Sequence, residues 1–176
     1  MRKLTMDELG RKSVADFKLA NKKPIVVVMD NIRSMHNVGS VFRTADAFLI
    51  SGICFCGFTP QPPHRDIQKT ALGATDSVDW LYYEQTATAV LALNEQGYKV
   101  YAIEQTQGSI SLENFKTHLT QQENNSVAFV FGNEVEGVSN EVLTLCDGAV
   151  EIPQYGMKHS LNISIAAAIV LWEMVR

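Results

Sequence analysis

The sequence predicts an α/β fold with a mostly parallel sheet flanked by helices, and three observations predict it. Short β-branched and aromatic runs alternate with helix-length segments from Pro24 onward, the pattern of strand–helix–strand units. Polar, glycine-bearing stretches follow three of those runs, at 30–39, 132–139 and 153–160, and in parallel sheets ligands bind beyond the carboxyl ends of strands. The 176 residues, 46% hydrophobic and 19% charged, suffice for one domain with a sizeable core. No internal repeat, low-complexity segment or linker divides the chain.

The elements follow in order. Thr5-Met-Asp-Glu8 has the form of a capping box, in which hydroxyl and carboxylate satisfy backbone N–H groups, and predicts a helix to about Ala20. Pro24 separates it from Ile25–Met29, a buried strand. Residues 37–49 fit a helix and Ile53–Phe58 a second strand, while Pro60, Pro62 and Pro63 disfavour helix in the loop that follows. Val78–Tyr83 is a third strand, and Thr86–Gln96 a helix stopped by Gly97. Tyr98–Ile103 and Val127–Phe131 are the next strands. A short helix capped by Ser139 fits 139–145, a strand 149–152, and a final helix 161–175. Residues 165–172 are apolar without interruption. A helix apolar on every side must be buried on every side, in a crowded interior or at a dimer interface.

Composition excludes several classes. The start MRKLTMDELG has no apolar stretch suited to a signal peptide, and no apolar run approaches the roughly 20 residues that span a bilayer, so no membrane partner is expected. Cys54, Cys56 and Cys146 are too few for a disulfide framework, and without ligand spacing they make no zinc site. Buried thiols in a reducing cytoplasm are expected, with no metal. The net charge of −4 opposes generic nucleic-acid binding, but residues 1–23 hold seven basic side chains against three acidic ones, which leaves −8 on the remainder. The chain thus divides into a basic, helical N-terminal segment, 1–23, and a main domain, 24–176.

Three segments carry chemistry. In Asp30-Asn-Ile-Arg-Ser-Met-His-Asn-Val-Gly-Ser-Val-Phe-Arg43, Asn37 and Gly39 can shape the start of a helix. Arg43 lies further along it, with a planar guanidinium that grips phosphate or carboxylate through paired hydrogen bonds. In Phe131-Gly132-Asn133-Glu134-Val-Glu136-Gly137-Val-Ser139, a glycine loop follows an apolar strand, as in nucleotide sites. The Lys and Ser/Thr of a phosphate loop are absent, and Glu134 and Glu136 would repel a polyphosphate. An adenosine cofactor without phosphates escapes that objection. In Ile152-Pro153-Gln154 through Ser160-Leu161-Asn162-Ile-Ser164, a strand end runs into the apolar last helix. His159 beside Ser160 does not make a base–nucleophile pair, and no G-x-S-x-G elbow is present.

Together and in this order, the segments resemble the SpoU/TrmH branch of the SPOUT RNA methyltransferases. Asn37-Val-Gly39-Ser-Val-Phe-Arg43 is similar to its first motif, Gly132-Asn-Glu134-Val-Glu-Gly137 to its second, and Ile152-Pro153 with Ser160-Leu161-Asn162 to its third. Thr59-Pro-Gln-Pro-Pro-His64 through Lys69-Thr-Ala-Leu-Gly73 also resembles single-domain TrmH-type members. The resemblance spans about 30 to 175.

It implies a deep C-terminal trefoil knot, a homodimer, and S-adenosylmethionine-dependent methylation of a ribose 2′-hydroxyl in tRNA or rRNA. It implies a cofactor site built from Ile103, Glu104, Gln105, Phe131, Gly132, Asn133, Gly137, Ile152, Pro153, Gln154, Ser160, Leu161 and Asn162. It assigns the chemistry to Arg43, with Asn37, Glu134, Ser160 and Asn162 completing the pocket. Only about 23 residues precede the first strand, so RNA capture is expected to fall to Arg11, Lys12, Lys18 and Lys22 together with Arg43.

An arginine whose pKa exceeds about 12 is a poor base in its usual form. Two readings stand: transient deprotonation beside a cationic cofactor, or a charged Arg43 that holds phosphate and oxyanion. Acidity alone favours the second. A different class of function, a knotted RNA-binding or assembly protein without turnover, is the alternative. The intact Arg43, Asn37, Glu134 and Asn162 speak against it.

Overall fold

The computed structural model describes residues 1–5, 7–120, 126–158 and 160–176; His159, considered above beside Ser160, lies outside them. Among the described residues, seven strands pair in parallel throughout, in the order β3-β2-β1-β6-β4-β7-β5. They are β1 (Lys23–Asp30), β2 (Ile50–Cys56), β3 (Trp80–Tyr83), β4 (Lys99–Ile103), β5 (Ile110–Ser111), β6 (Val127–Phe131) and β7 (Gly148–Glu151). Successive side chains of a strand point to opposite faces. Ile25, Val27 and Met29 of β1 and Val127, Phe129 and Phe131 of β6 therefore enter one core, and Val26, Val28, Ala128 and Val130 the other.

The first core packs under α2 (Met35–Ala47), α3 (Arg65–Ala71), α6 (Leu112–Thr120) and α8 (Ile163–Val175), with Phe17 of α1 (Val14–Leu19) and Ala74 of α4 (Ala74–Ser77) at its margin. The second packs under α5 (Thr86–Glu95) and α7 (Asn140–Leu145). Cys54 and Cys56 share this second face, and burial pushes both thiols up to about 12. A sheet covered on both sides explains why the central strands read as unbroken apolar runs. Among the described residues, no helix is long and apolar enough to cross a membrane.

Four expectations need correction. The Thr5–Glu8 capping box forms, with the Thr5 N–H 2.8 Å from Glu8 Oε2, but it opens only a 3-10 turn at Asp7–Leu9. Gly10 follows with φ of +56°, breaking the predicted long helix, and a second capping box, Ser13 with Asp16, opens α1. Second, α2 begins at Met35 with Ser34 as N-cap, so neither Asn37 nor Gly39 shapes its start. A Cβ on Gly39 would lie 2.2 Å from the Ile67 carbonyl oxygen, so this glycine exists for close α2–α3 packing.

Third, the stretches left without elements contain α3, α4, β5 and α6. His64 caps α3 through its ring Nδ1, a weak signal next to the Ser and Asp caps that sequence patterns advertise. Fourth, α8 is not buried on every side within one chain, which rules out the crowded interior and leaves the dimer interface. Ile163, Ala166, Ala167, Val170 and Leu171 are buried, but Ile165 is 52% and Trp172 57% exposed.

Candidate active site

Strands β4, β6 and β7 end side by side. The chain beyond each lines a cavity of about 720 Å³. Twelve of the thirteen residues expected to hold the cofactor meet there: Ile103–Gln105, Phe131–Asn133, Gly137, Ile152, Gln154 and Ser160–Asn162. Pro153 is not among its lining residues.

Close backbone approach shapes this cavity. The loop after β6 closes on itself: the Gly137 N–H donates to the Asn133 carbonyl at 2.9 Å, and the Asn133 N–H returns the bond at 3.1 Å. Asn133 Oδ1 accepts from the N–H of Val135 at 2.9 Å and of Glu136 at 3.3 Å, while Nδ2 donates 2.7 Å to the Asn31 carbonyl. A Cβ on Gly132 would stand 2.2 Å from the Gly137 carbonyl carbon, and one on Gly137 (φ +68°) 2.3 Å from Glu104 Oε2. Glu104 is committed to this framework. It accepts from the Val138 N–H at 3.1 Å and from the Gln105 N–H at 3.0 Å, tying β4 to the glycine loop.

Electrostatically the cavity is one-sided. Glu104, Glu134, Glu136 and Glu151 line it, and among the described residues no lysine or arginine does. Such a lining opposes a polyphosphate and favours a cation.

At the mouth, residues far apart in sequence form one hydrogen-bonded chain. Asn162 Nδ2 donates to Asn37 Oδ1 at 3.2 Å, and Asn37 Nδ2 donates to Glu134 Oε1 at 3.3 Å. The Arg33 N–H donates to Glu134 Oε2, also at 3.3 Å. Asn162 Oδ1 caps α8 by accepting from the Ser164 N–H (2.9 Å) and hydroxyl (2.7 Å), which fixes the amide that reaches Asn37. The three motifs thus meet through Asn37, Glu134 and Asn162, with Ser160 on the same cavity.

Arg43 stands elsewhere. It is exposed, has no hydrogen-bond or ion-pair partner among the described residues, and lines a second cavity of about 890 Å³. Arg11 and Lys12 line that cavity too, alongside Asp46, Asp76 and Ser77. The other two expected RNA contacts are engaged: Lys18 Nζ lies 2.5 Å from Asp79 Oδ1, and Lys22 sits 4.6 Å over the Phe17 ring.

Several contributors escaped sequence reasoning. Thr106, Asn140 and Glu151 line the first cavity, and Asn31 and Arg33 brace its loop. Asn31 has φ of +54°, and an asparagine straight after a strand was the available signal, since Asn tolerates the left-handed region.

Known proteins share this architecture. The profile of the SpoU rRNA methylase family matches residues 24–172. The tRNA (guanosine(18)-2′-O)-methyltransferase of Thermus thermophilus is 31% identical over 172 residues, 96% of this chain and 83% of that protein. The 23S rRNA (guanosine-2′-O-)-methyltransferase of Vibrio vulnificus is 28% identical over 96% of this chain and 66% of its own length. An AdoMet-bound rRNA methyltransferase from Sinorhizobium meliloti superposes with a TM-score of 0.78 at 27% identity, covering 88% of this chain and 56% of that one. A TrmH/SpoU tRNA modifying enzyme from A. aeolicus gives 0.74 at 25%, covering 87% and 74%. The chain therefore spans just under two thirds of the Vibrio relative and little more than half of the Sinorhizobium one.

Proposed function

Because the chain belongs to the SpoU rRNA methylase family, we propose that it transfers a methyl group from S-adenosylmethionine to a ribose 2′-hydroxyl of tRNA or rRNA. The observation that carries this reading is the cavity itself, narrowed by Gly132 and Gly137 and lined by four glutamates without a basic residue among those described. Those residues fit an adenosine carrying a positive sulfonium far better than a nucleoside triphosphate. When bound, S-adenosylmethionine supplies an electrophilic methyl group. Backbone at 103–105, 131–137 and 160–162, with Ile152 and Gln154, would hold the cofactor, and the carboxylates would favour its charge.

The remaining residues act on the acceptor. Asn37, Glu134 and Asn162, locked in their hydrogen-bond chain, orient the ribose, a task of proximity. The Arg43 guanidinium steadies the adjoining phosphate and the charge that develops on the 2′-oxygen. Arg43 does not line its own chain's cavity, so it serves the cavity of a second copy in a homodimer. Support comes from α8. It runs beside α2 from the Asn37–Asn162 contact at one end to Phe48 against Trp172, 6.0 Å apart, at the other, and exposes Ile165, Ile169 and Trp172. A copy seated on that apolar stripe lies next to α2, which carries Arg43.

The trefoil knot belongs to the same reading. It is supported by the insertion of β6 between β1 and β4, and of β7 between β4 and β5. A cytoplasmic location agrees with an RNA substrate and three free thiols.

Calorimetry tests the cofactor: S-adenosylmethionine or S-adenosylhomocysteine is expected to bind at about one per chain in the acidic cavity, and ATP not to compete. Binding of ATP alone overturns the reading. Binding of S-adenosylmethionine without methyl incorporation into total RNA from cells lacking the gene would favour the non-catalytic RNA-binding protein.

A further inference from the structure

Beyond β2, the chain holds an aromatic side chain out in solvent on a braced turn. Phe58 is 58% exposed, although exposing a large apolar ring forgoes burial energy. Its backbone is fixed from three sides. Its own N–H donates to Asn31 Oδ1 at 3.2 Å, the Gly57 N–H donates to the Tyr83 carbonyl at 3.1 Å, and the Tyr82 hydroxyl donates to the Gly57 carbonyl, also at 3.1 Å. Gly57 has φ of +61°, and a Cβ there would stand 2.0 Å from Asn31 Oδ1, so the turn admits no other residue without rearrangement. Next to it, Thr59 is buried, with its hydroxyl shared among Met29, Cys56 and Ile32. A ring displayed this rigidly loses little freedom on binding.

The position of the ring assigns it a partner. The Arg33 guanidinium lies 5.9 Å from the Phe58 ring centroid, and the Arg33 N–H donates to Glu134 at the mouth of the acidic cavity. Phe58, Arg33, Glu134 and Asn37 are thus joined by successive contacts, with Arg33 and Phe58 on the chain beyond β1 and β2 and Glu134 on the glycine loop after β6. With the guanidinium over one face of the ring, the other face of this exposed side chain can take a nucleobase by stacking while the cation meets the phosphate backbone.

We propose that Phe58 and Arg33 form a stacking platform for a base of the RNA substrate adjoining the methylated nucleotide. This rests on the methyltransferase reading above and names a positioning role on the substrate side of that site. Stacking on an aromatic face tolerates any base, so the platform sets affinity and orientation rather than sequence preference.

Steady-state methyl transfer from labelled S-adenosylmethionine to total RNA of cells lacking the gene tests it. Phe58→Leu, which keeps apolar volume but removes the π face, is expected to raise KM for RNA by about 10-fold with kcat within about 2-fold of wild type. Cofactor affinity and melting temperature should stay unchanged. Phe58→Trp should restore KM, and its indole emission, measured against wild type, should be quenched by RNA. Arg33→Ser should flatten the salt dependence of RNA binding by about one unit of log–log slope. An unchanged KM in Phe58→Leu overturns the platform and leaves any role for the ring to a protein partner; lost cofactor affinity makes the residue merely structural and overturns it too. If the wild-type chain itself transfers no methyl to RNA, the underlying reading fails, and the platform with it.

Discussion

Gly132 shows how a single hydrogen in place of a side chain decides a site. A Cβ there would stand 2.3 Å from the Val138 nitrogen and closer still to the Gly137 carbonyl carbon, both main-chain atoms that cannot swing aside. Gly132→Ala is expected to open the loop, weaken S-adenosylmethionine binding by more than about 10-fold and lower stability by about 1–3 kcal/mol, by calorimetry and thermal melting. Unchanged affinity would mean the loop does not hold the cofactor. Asp30 presents the opposite case, a buried carboxyl that accepts hydrogen bonds from Thr86 (2.5 Å) and Asn31 (2.8 Å). Burial raises its pKa above the ordinary 3.8, against the pull of those two donors. The folded state therefore favours the protonated form, and its contribution, full below the ordinary value, is lost as pH rises through the folded value. Asp30→Asn keeps an acceptor oxygen without that charge. Its melting temperature should gain on wild type as pH rises from about 4 to 7, and a pH-independent difference would refute the assignment.

Among the elements, the N-terminal segment changes most in meaning between sequence and structure. The basic segment is expected to present Arg11, Lys12, Lys18 and Lys22 to RNA from one helix, but that helix is broken at Gly10 and the charges divide. Phe17, 4% exposed, anchors α1, Lys18 pairs with Asp79, and Lys22 covers Phe17. Arg11 and Lys12 are left facing the Arg43 cavity. Replacing Arg11 and Lys12 by Ser should therefore weaken RNA binding and reduce its salt slope by up to about two units, fewer for single strands. Replacing Lys18 and Lys22 should change the slope little. Equal effects of the two pairs in salt titrations would return the segment to a uniformly charged strand of contacts.

At the scale of the whole molecule, the proposed division of labour between two copies makes a prediction no monomer can imitate. Arg43→Ala alone should lose turnover by about 10²-fold or more while cofactor affinity holds. Co-expressed with Gly132→Ala, it should recover about a quarter of wild-type activity, because statistical mixing makes half the dimers hybrid and each hybrid has one intact site of two. No recovery would place Arg43 with the cavity of its own chain. Trp172→Lys, on the exposed stripe of α8, should yield monomers in sedimentation, and a persistent dimer would move the interface elsewhere.

The sequence by itself determined the α/β class, the central strands and the capping of α7 by Ser139, because unbroken apolar runs and local caps are written in neighbouring residues. It also marked the three motifs, since glycines and asparagines after strands stand out against apolar runs. It passed over α3 and α6, whose signals are a histidine cap and an amphipathic turn amid polar residues, and it left open whether α8 is buried by its own chain or by a second copy; within one chain only one face is buried. Tertiary structure alone decided that Asn37, Glu134 and Asn162 join in one chain, across sequence gaps of 97 and 125 residues. It alone separated Arg43 from that chain. The reason is geometric: Asn37 and Arg43 lie six residues apart on α2, about 240° of helical turn, so one motif faces two cavities. Which cavity each side chain meets depends on what packs against the helix, and no local pattern in the sequence records that.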